Sequence, residues 1–308
     1  MSTVGADPDP VHGEQPIVVA PDAARGRHVG ARARDVEVVV HPDAAAVADA
    51  TAARLLVRLL DLQSVRSPVH VVLTGGTVGT ATLAAVAASP VRHTVDWSGV
   101  HVWWGDERFV AADSPDRNER QAREALLDAL PLPPDHVHAM PAEGAATDEG
   151  AAAEAYAHEL ARYAPADDDD VDDVSPSGGV APPAGLVGAP AGGAGTAVPE
   201  FDVLLLGVGP DGHVASLFPG HATLHEEART VVGEPDSPKP PPRRVSLTYP
   251  AIRAAREVWF VAAGQDKAEA VAAALSGARV DEIPAAGALG TERTLWLVDV
   301  AAASRIPA

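Results

Sequence analysis

The chain contains no cysteine, and this absence excludes a disulfide scaffold, a thiol nucleophile and a zinc–thiolate site. Positive charge is also scarce, because 23 Lys and Arg residues are outnumbered by 43 Asp and Glu residues, which gives a formal net charge of −20. Such a charge argues against nucleic acid or an anionic membrane as a partner. A run of about 18 apolar residues, as a spanning helix requires, is also missing. We therefore predict a soluble cytoplasmic protein that binds neither nucleic acid nor membrane.

Apolar residues make up 46% of the 308-residue chain, which is enough for a substantial core. Short apolar runs alternate with helical patterns, as is typical of a parallel sheet that is covered by helices on both faces. The alanine-rich segment 44–62 is predicted to be one such helix, with an apolar face on the sheet. We predict an α/β fold with a Rossmann-like, mostly parallel sheet, and its strands are residues 36–40, 69–73, 100–103, 201–206, 245–247, 258–262 and 295–298.

Two segments fall outside this alternation. Residues 1–34 are polar, lack the continuous apolar core of a secretory signal, and are predicted to be a disordered leader. Residues 165–199 contain clustered aspartates followed by Pro, Gly and Ala tracts, and are predicted to be a disordered insert. A calcium-binding or regulatory role for the insert is the alternative, although its acids lack an EF-hand spacing. The predicted organisation is a leader and one domain, residues 35–308, that contains the insert.

The most informative segment is FDVLLLGVGPDGHVASLFPG, residues 201–220, in which an apolar strand enters a glycine-rich turn. Gly207, Gly209 and Gly212 permit sharp turning and close approach of a ligand. Asp211 and His213 follow the strand, where ligands bind in open α/β sheets. Asp211 either takes part in chemistry or caps a helix that begins near Gly212. His213 is either a reactive imidazole or an ordinary histidine, and agreement with other motifs must decide.

A second apolar strand leads into the turn Thr74-Gly75-Gly76-Thr77 and then into a helical pattern. Backbone amides, hydroxyl groups and a helix N-terminus at such a turn form a phosphate cradle. The segment matches neither a P-loop nor a complete dinucleotide-binding motif, so nucleotide binding is weakly supported. A tight turn without a ligand is the alternative.

Charged residues follow further strands. Asp106 and Arg108 come directly after the apolar run VHVWW, where they form either a solvated turn or a set that presents Arg to an anion. Arg244 precedes a short apolar run, and each of Arg244 and Lys267 is a candidate ligand for a phosphoryl group. Lys267 lies near a predicted helix start, against the preference of the helix dipole, which favours an anionic partner there, although an exposed Lys is usually just solvated.

His136 and His138 suggest a metal pair, but no third ligand lies near them in the sequence. Their spacing suits a short strand that presents both rings on one face. We therefore predict no metal site.

Together these motifs resemble 6-phosphogluconolactonases of the compact cytosolic type, which are related to glucosamine-6-phosphate deaminases. The resemblance covers roughly residues 36–300 in the same order along the chain. The deaminases continue the Asp-Gly-His turn into Phe-Asn-Glu-Pro, whereas this chain reads Ser216-Leu217-Phe218-Pro219, so the acid is replaced by Phe218. This difference favours the lactonases. The positions that carry the resemblance are Thr74 to Thr77, Trp104, Asp106, Glu107, Arg108, Ser114, Asn118, Leu206 to Pro219, Arg244 to Thr248, Gly264 and Lys267.

The resemblance implies hydrolysis of 6-phospho-D-glucono-1,5-lactone to 6-phosphogluconate in the oxidative pentose phosphate pathway, with no metal or cofactor. A His general base suits this reaction because an imidazole ordinarily titrates near pH 6.5. The implied catalytic residues are His213, Asp211 and Arg108. The implied substrate- and phosphate-binding residues are Thr74, Gly75, Gly76, Thr77, Asp106, Asn118, Gly209, Arg244 and Lys267.

Two other functions stay open at this point. A sugar-phosphate isomerase or deaminase would share the cradle and the Asp211–His213 pair, but Phe218 disfavours it. A sugar-phosphate sensor in a transcription regulator should carry a basic helix-turn-helix, and the N-terminal region has no convincing one. We expect a small-molecule sugar-phosphate lactone as the partner, and a monomer or a weak homo-oligomer.

Overall fold

The computed structural model describes residues 35–165 and 197–307. The predicted leader, residues 1–34, and nearly all of the predicted insert, residues 166–196, lie outside the described residues, and their disorder stays a prediction. The strands are β1 (Asp35–His41), β2 (Val69–Leu73), β3 (Val100–Trp104), β4 (Asp106–Arg108), β5 (Phe201–Gly207), β6 (Val231–Glu234), β7 (Arg244–Leu247), β8 (Glu257–Ala262) and β9 (Arg293–Asp299). The helices are α1 (Ala44–Gln63), α2 (Gly76–Ala88), α3 (Asn118–Ala125), α4 (Glu149–Ala161), α5 (Tyr249–Arg253), α6 (Ala268–Leu275) and α7 (Val300–Ala303).

A parallel sheet forms the centre of the described fold, with the strand order β1-β9-β8-β5-β2-β3. Every residue of β2, β3 and β8 is buried, so these strands are covered on both faces, as uninterrupted apolar runs require. The predicted helix at 44–62 is α1, which buries Leu55, Leu56 and Leu59 and begins where the Asp43 side chain accepts a hydrogen bond from the amide of Ala46. The predicted α/β fold with a mostly parallel sheet is confirmed.

A second, antiparallel sheet of the order β4-β7-β6 lies beside the first. Residues 245–247 therefore belong to this small sheet, whereas we predicted them together with the strands of the parallel one. The reason is that the chain reverses through a proline-rich loop between β6 and β7, and a reversal of this kind makes a hairpin. The pairing of β4 with β7 sets Arg108 opposite Arg244, two of the predicted site residues.

The connections of the parallel sheet diverge between β2 and β5. From β2 the chain continues to β3 on one side, whereas β8 and β9 follow β5 on the other side. Such a switch point leaves a crevice outside the carboxyl ends of the two strands, and ligands of open α/β sheets bind there. Thr74 follows β2 and Gly207 ends β5, and the Thr74 Oγ1 accepts a hydrogen bond of 3.2 Å from the Gly207 amide. The two sequence motifs are thus joined at one crevice.

The helices on the small-sheet side position β3 and β4. The Tyr156 hydroxyl of α4 accepts a hydrogen bond of 2.9 Å from the backbone amide of Trp104, which ends β3. The apolar spacing of residues 117–130 predicts one continuous helix, but α3 ends at Ala125 and a single 3₁₀ turn follows at Leu127–Ala129. Across residues 35–165 and 197–307, none of the helices combines the length and the apolar character needed to cross a membrane.

Candidate active site

A cavity of about 290 Å³ opens at the switch point between β2 and β5. All of the predicted site residues line it except Asp211, which lies behind His213, and Thr77, which is exposed on α2. The predicted residues in its wall are Thr74, Gly75, Gly76, Asp106, Arg108, Asn118, Gly209, His213, Arg244 and Lys267. Gly207, one of the glycines predicted to allow close approach of a ligand, also lines it. Five residues that we did not assign to the site complete the lining, namely Val208, Ala215, Phe218, Lys239 and Pro240.

The turn after β5 holds an aspartate–histidine pair. The Gly209 amide donates to the carbonyl of His213 at 2.9 Å, and Gly212 takes a left-handed φ of +78° that favours glycine. The backbone does not enter a helix after Gly212, so Asp211 is not a helix cap. Its Oδ1 instead lies 2.5 Å from Nδ1 of His213. A Cβ on Gly209 would overlap the imidazole and the Asp211 carboxylate, so the pair occupies the space that this glycine leaves free.

The charge state of Asp211 follows from its neighbours. Partial burial opposes ionisation of this carboxyl, but the hydrogen bond and charge of His213 and the charge of Lys239 outweigh it, and together they hold the Asp211 pKa well below its usual range. An ionised carboxylate beside Nδ1 favours the neutral tautomer that carries its proton on Nδ1 and leaves the lone pair of Nε2 free. Both side chains are mostly buried, with exposed fractions of 16% for His213 and 35% for Asp211.

The glycine turn after β2 delivers a helix N-terminus to the cavity. Gly75 is the N-cap residue of α2, and no side chain caps this helix. The amides of its first turn are therefore available to an anion. Gly76 has a left-handed φ of +80°, and a Cβ on Gly75 would overlap the side-chain amide of Asn118. Glycine is thus needed at both positions, one for its backbone and one for close approach.

Asn118 and Arg108 form one hydrogen-bonded wall of the cavity. The Asn118 Nδ2 donates to the carbonyl of Asp106 at 2.8 Å, while its Oδ1 accepts from Arg108 Nη1 at 2.5 Å. The same Nη1 donates to the carbonyl of Asp116 at 2.8 Å. The Asp106 carboxylate accepts a hydrogen bond of 2.8 Å from the Ser216 hydroxyl, which ties this wall to the turn that follows His213.

Beneath this wall, Glu107 is buried to 1% exposure and accepts three backbone amide hydrogen bonds. Its Oε1 accepts from Arg108 at 2.8 Å and from Asn118 at 2.7 Å, and its Oε2 accepts from Glu119 at 2.8 Å. The carboxylate thus caps the N-terminus of α3 and positions two cavity residues at once. Its buried neighbour Arg117, with Nη2 at 3.8 Å from Oε2, balances the charge. The sequence motif named Glu107 but did not indicate this role.

Arg244 holds the proline-rich loop between β6 and β7 against the cavity. Its Nε donates to the carbonyl of Pro241 at 2.7 Å, and its Nη2 donates to the carbonyls of Lys239 and Pro240 at 3.0 and 3.3 Å. We predicted this residue as a phosphate ligand, but its Nε and Nη2 groups donate their hydrogen bonds to backbone carbonyls of the loop. The Nη1 group of the guanidinium takes no part in these bonds and can donate to a ligand.

Lys239, which we did not predict, lies beside the catalytic candidates. Its Nζ lies 3.3 Å from His213 Nδ1 and 3.7 Å from Asp211 Oδ1. Partial burial lowers the Lys239 pKa, with Lys267 and Arg244 acting in the same direction and Asp211 opposing them. A signal for it was present in the sequence, because the whole chain has just two lysines, Lys239 and Lys267, and both line this cavity.

His136 and His138 lie away from this cavity, next to His101 near the start of β3. The ring centroid of His101 lies 3.9 Å from that of His136 and 5.1 Å from that of His138. The predicted short strand is instead a 3₁₀ turn, Pro134–His136, followed by a single bridge from Val137 to Val102. Throughout the described part of the chain, no group of three His, Asp or Glu side chains is arranged to hold a metal ion.

Comparison with known proteins identifies the family of the chain. The family described as Glucosamine-6-phosphate isomerases/6-phosphogluconolactonase matches residues 42–296. The 6-phosphogluconolactonase of Streptomyces coelicolor is 52% identical, over 88% of this chain and 95% of its own, and that of Mycobacterium leprae is 43% identical, over 88% and 98%. The solved structure of 6-phosphogluconolactonase from Trypanosoma brucei superposes with a TM-score of 0.68 at 27% identity, covering 89% of this chain and all of that one. The chain belongs to the family of glucosamine-6-phosphate isomerases and 6-phosphogluconolactonases.

Proposed function

We propose that this protein, a lactone hydrolase of the 6-phosphogluconolactonase type, opens 6-phospho-D-glucono-1,5-lactone with His213 as the general base. The observation that carries the proposal is the Asp211–His213 hydrogen bond of 2.5 Å at the wall of a cavity that four cationic side chains also line. A base beside several cations suits a substrate that carries a phosphate and develops negative charge during reaction. The four cations are Arg108, Lys239, Arg244 and Lys267.

In the proposed reaction, the Nε2 of His213 removes a proton from a water molecule as its oxygen forms a bond to the lactone carbonyl carbon. The bond from that carbon to the ring oxygen then breaks, and the imidazolium returns the proton to the departing oxygen. Asp211 holds the imidazole in the tautomer that leaves Nε2 free and stabilises the imidazolium once it forms. Water is the one added reactant, and the product is the open-chain acid.

The phosphate end of the substrate is proposed to bind at the start of α2. The free amides after Gly75 and Gly76 supply donors and the positive end of the helix dipole. Lys267 and the remaining Nη1 of Arg244 supply charge, and Arg108 lies on the adjoining wall. Thr74, Asp106, Asn118 and Gly209 keep their proposed places in the substrate site, because they line the same cavity. Thr77 is exposed on α2, so a contact to phosphate would come from its amide.

Isomerase or deaminase chemistry is less well supported. It calls for a further carboxylate in the place where this chain has Phe218. The Phe218 ring is buried to 1% exposure, and its centroid lies 4.6 Å from that of His213. An apolar ring beside the base excludes water from one side of the imidazole and offers no proton.

The test is 6-phosphogluconate formation from freshly generated lactone, coupled to a 6-phosphogluconate dehydrogenase. An enzyme-free blank is required because the lactone opens spontaneously. We expect the wild type to exceed the blank, and His213→Ala to lower kcat about 100- to 10,000-fold. His225→Ala is the matched control, since the His225 side chain is 62% exposed, outside the cavity lining, and should leave kcat unchanged. A wild type that matches the blank would contradict the function, whereas full activity of His213→Ala would contradict the mechanism alone.

A further inference from the structure

The positions of Lys239 and Lys267 indicate that the two lysines have different roles in the cavity. We propose that Lys239 is a further catalytic residue, which contacts the lactone carbonyl oxygen and the carboxylate of the product, whereas Lys267 binds the phosphate. This inference rests on the proposed lactone hydrolysis. It assigns a ligand group to each end of the substrate.

The first argument is distance from the base. A water held by His213 attacks a carbonyl carbon within reach of the imidazole, so the carbonyl oxygen must lie beside the imidazole as well. The Nζ of Lys239 is 3.3 Å from His213 Nδ1. Lys267 instead has its Nζ at 3.1 Å from the carboxylate of its neighbour Asp266, in the turn that precedes α6. Of the two lysines, Lys239 is the one beside the His213 imidazole, and it also lines the cavity.

The second argument is that Lys239 sits on a held segment of the backbone. The Ser237 amide donates to the carbonyl of Pro242 at 2.9 Å, and the Lys239 amide donates to the Ser237 hydroxyl at 3.2 Å. Arg244 then binds the carbonyls of residues 239, 240 and 241 from the side of β7. A cation on a preorganised loop stabilises developing charge without a reorganisation cost at the moment of reaction.

The third argument is charge balance. The Lys239 ammonium, with 41% of its side chain exposed, lies 3.7 Å from the ionised Asp211 carboxylate, which is already hydrogen-bonded to His213. Its remaining donors are free to meet a second anionic oxygen in the cavity. As water adds to the carbonyl carbon, the carbonyl oxygen gains negative charge, and the same ammonium later faces the product carboxylate. One group thus serves both the transition state and the product.

The two lysines provide matched variants. Lys239→Met is expected to lower kcat about 100-fold with a small change in KM, as the loss of one oxyanion donor does. Lys267→Met is expected mainly to raise KM, by about 10-fold, because a phosphate contact is made equally in the ground and transition states. Lys239→Arg, which keeps the charge, should recover part of the lost kcat. Unchanged kcat in Lys239→Met would overturn the assignment.

Binding by calorimetry separates the two ends without relying on turnover. The probes are 6-phosphogluconate, which carries a carboxylate and a phosphate, and glucitol 6-phosphate, which carries the phosphate alone. In Lys239→Met the Kd of 6-phosphogluconate should rise about 10-fold while that of glucitol 6-phosphate stays within about twofold, and Lys267→Met should weaken both probes equally. An equal loss for both probes in Lys239→Met would place Lys239 at the phosphate and refute the proposal.

Failure of this inference differs from failure of the proposed function. A wild type that does not accelerate lactone opening overturns the function, and the catalytic part of the inference with it. An active wild type whose Lys239→Met variant keeps its kcat and its preference for 6-phosphogluconate overturns the inference alone.

Discussion

Replacement of Gly209 by alanine is expected to remove most of the activity through the position of the base. The Gly209 Cα faces the Asp211–His213 pair, and an added Cβ would overlap Nδ1 and Cε1 of the imidazole and the Oδ1 of Asp211. The backbone at Gly209 is fixed by hydrogen bonds to His213 and Gly212, so it cannot withdraw freely. The imidazole must therefore rotate away, which breaks its 2.5 Å hydrogen bond to Asp211.

The size of the effect follows from what is lost. A displaced imidazole could no longer act as the proposed general base, and general-base catalysis typically contributes about 100- to 10,000-fold in kcat. The added methyl group also overpacks the turn, at a cost of about 1–3 kcal/mol in the free energy of unfolding. We expect kcat to fall at least about 100-fold, with the fold retained.

Gly105→Ala is the matched control for this prediction. It is the same substitution at a buried glycine next to the site, but the nearest atoms to its added Cβ are 3.8 Å away, an ordinary van der Waals contact. The assay is the coupled formation of 6-phosphogluconate, with thermal unfolding measured for each variant. Gly105→Ala should keep its turnover. A Gly209→Ala variant that retains more than about a tenth of the wild-type kcat would refute the reasoning, because the base would not have moved.

Three further predictions concern the charged groups. Burial, with nearby positive charge, lowers the pKa of His70 to about 3 and that of His101 to about 4, so both are neutral when folded but protonate in the unfolded chain below about pH 6.5. The free energy of unfolding should therefore fall on acidification, by about 2 kcal/mol for each histidine between pH 7.5 and pH 5. Urea unfolding of the wild type and of His101→Gln at these two pH values measures the effect, and the variant should lose less stability. Asp211→Asn should lower kcat by up to about 10,000-fold with KM nearly unchanged, in steady-state assays, because the imidazole loses the partner that selects its tautomer. Arg244→Lys keeps the charge but loses the fork that binds three carbonyls, so hydrogen exchange at the Lys239 amide should speed up, and unaltered exchange would argue against that anchoring role.

The sequence predicted the parallel sheet and most of the residues that line the cavity, and it did so for one shared reason. Fully buried strands read as uninterrupted apolar runs, and glycine-rich turns at their ends mark where backbone and ligand approach each other. The turn at Thr74 and the turn at Asp211 and His213 were identified in this way, and the structure brings them to one cavity. The order of strands and turns along the chain was enough to predict that these turns lie close together, because the carboxyl ends of parallel strands share one edge of the sheet.

The small antiparallel sheet was harder to predict. Strand β4 has three residues and β6 has four, too few for a periodic pattern to stand out from their surroundings. Their pairing with β7 nevertheless sets Arg108 opposite Arg244 and turns the proline-rich loop toward the cavity. Sequence reasoning did not predict Lys239 as a site residue. The proline-rich composition around it predicts a loop, but not which part of the fold that loop contacts.

Local sequence therefore determined which segments become strands of the parallel sheet and which turns carry glycine, because backbone preferences and hydrophobic periodicity act over a few residues. Only the structure showed that Asp211 pairs with His213, two positions along the chain, because no helix follows Gly212 for it to cap, and that Glu107 fixes the wall of the cavity. It also decided which of the two lysines lies beside the base. The contacts of Glu107 and Lys239 depend on distances between separate segments of the chain, and such distances are set by how strands pair and how loops are anchored, which no local pattern records.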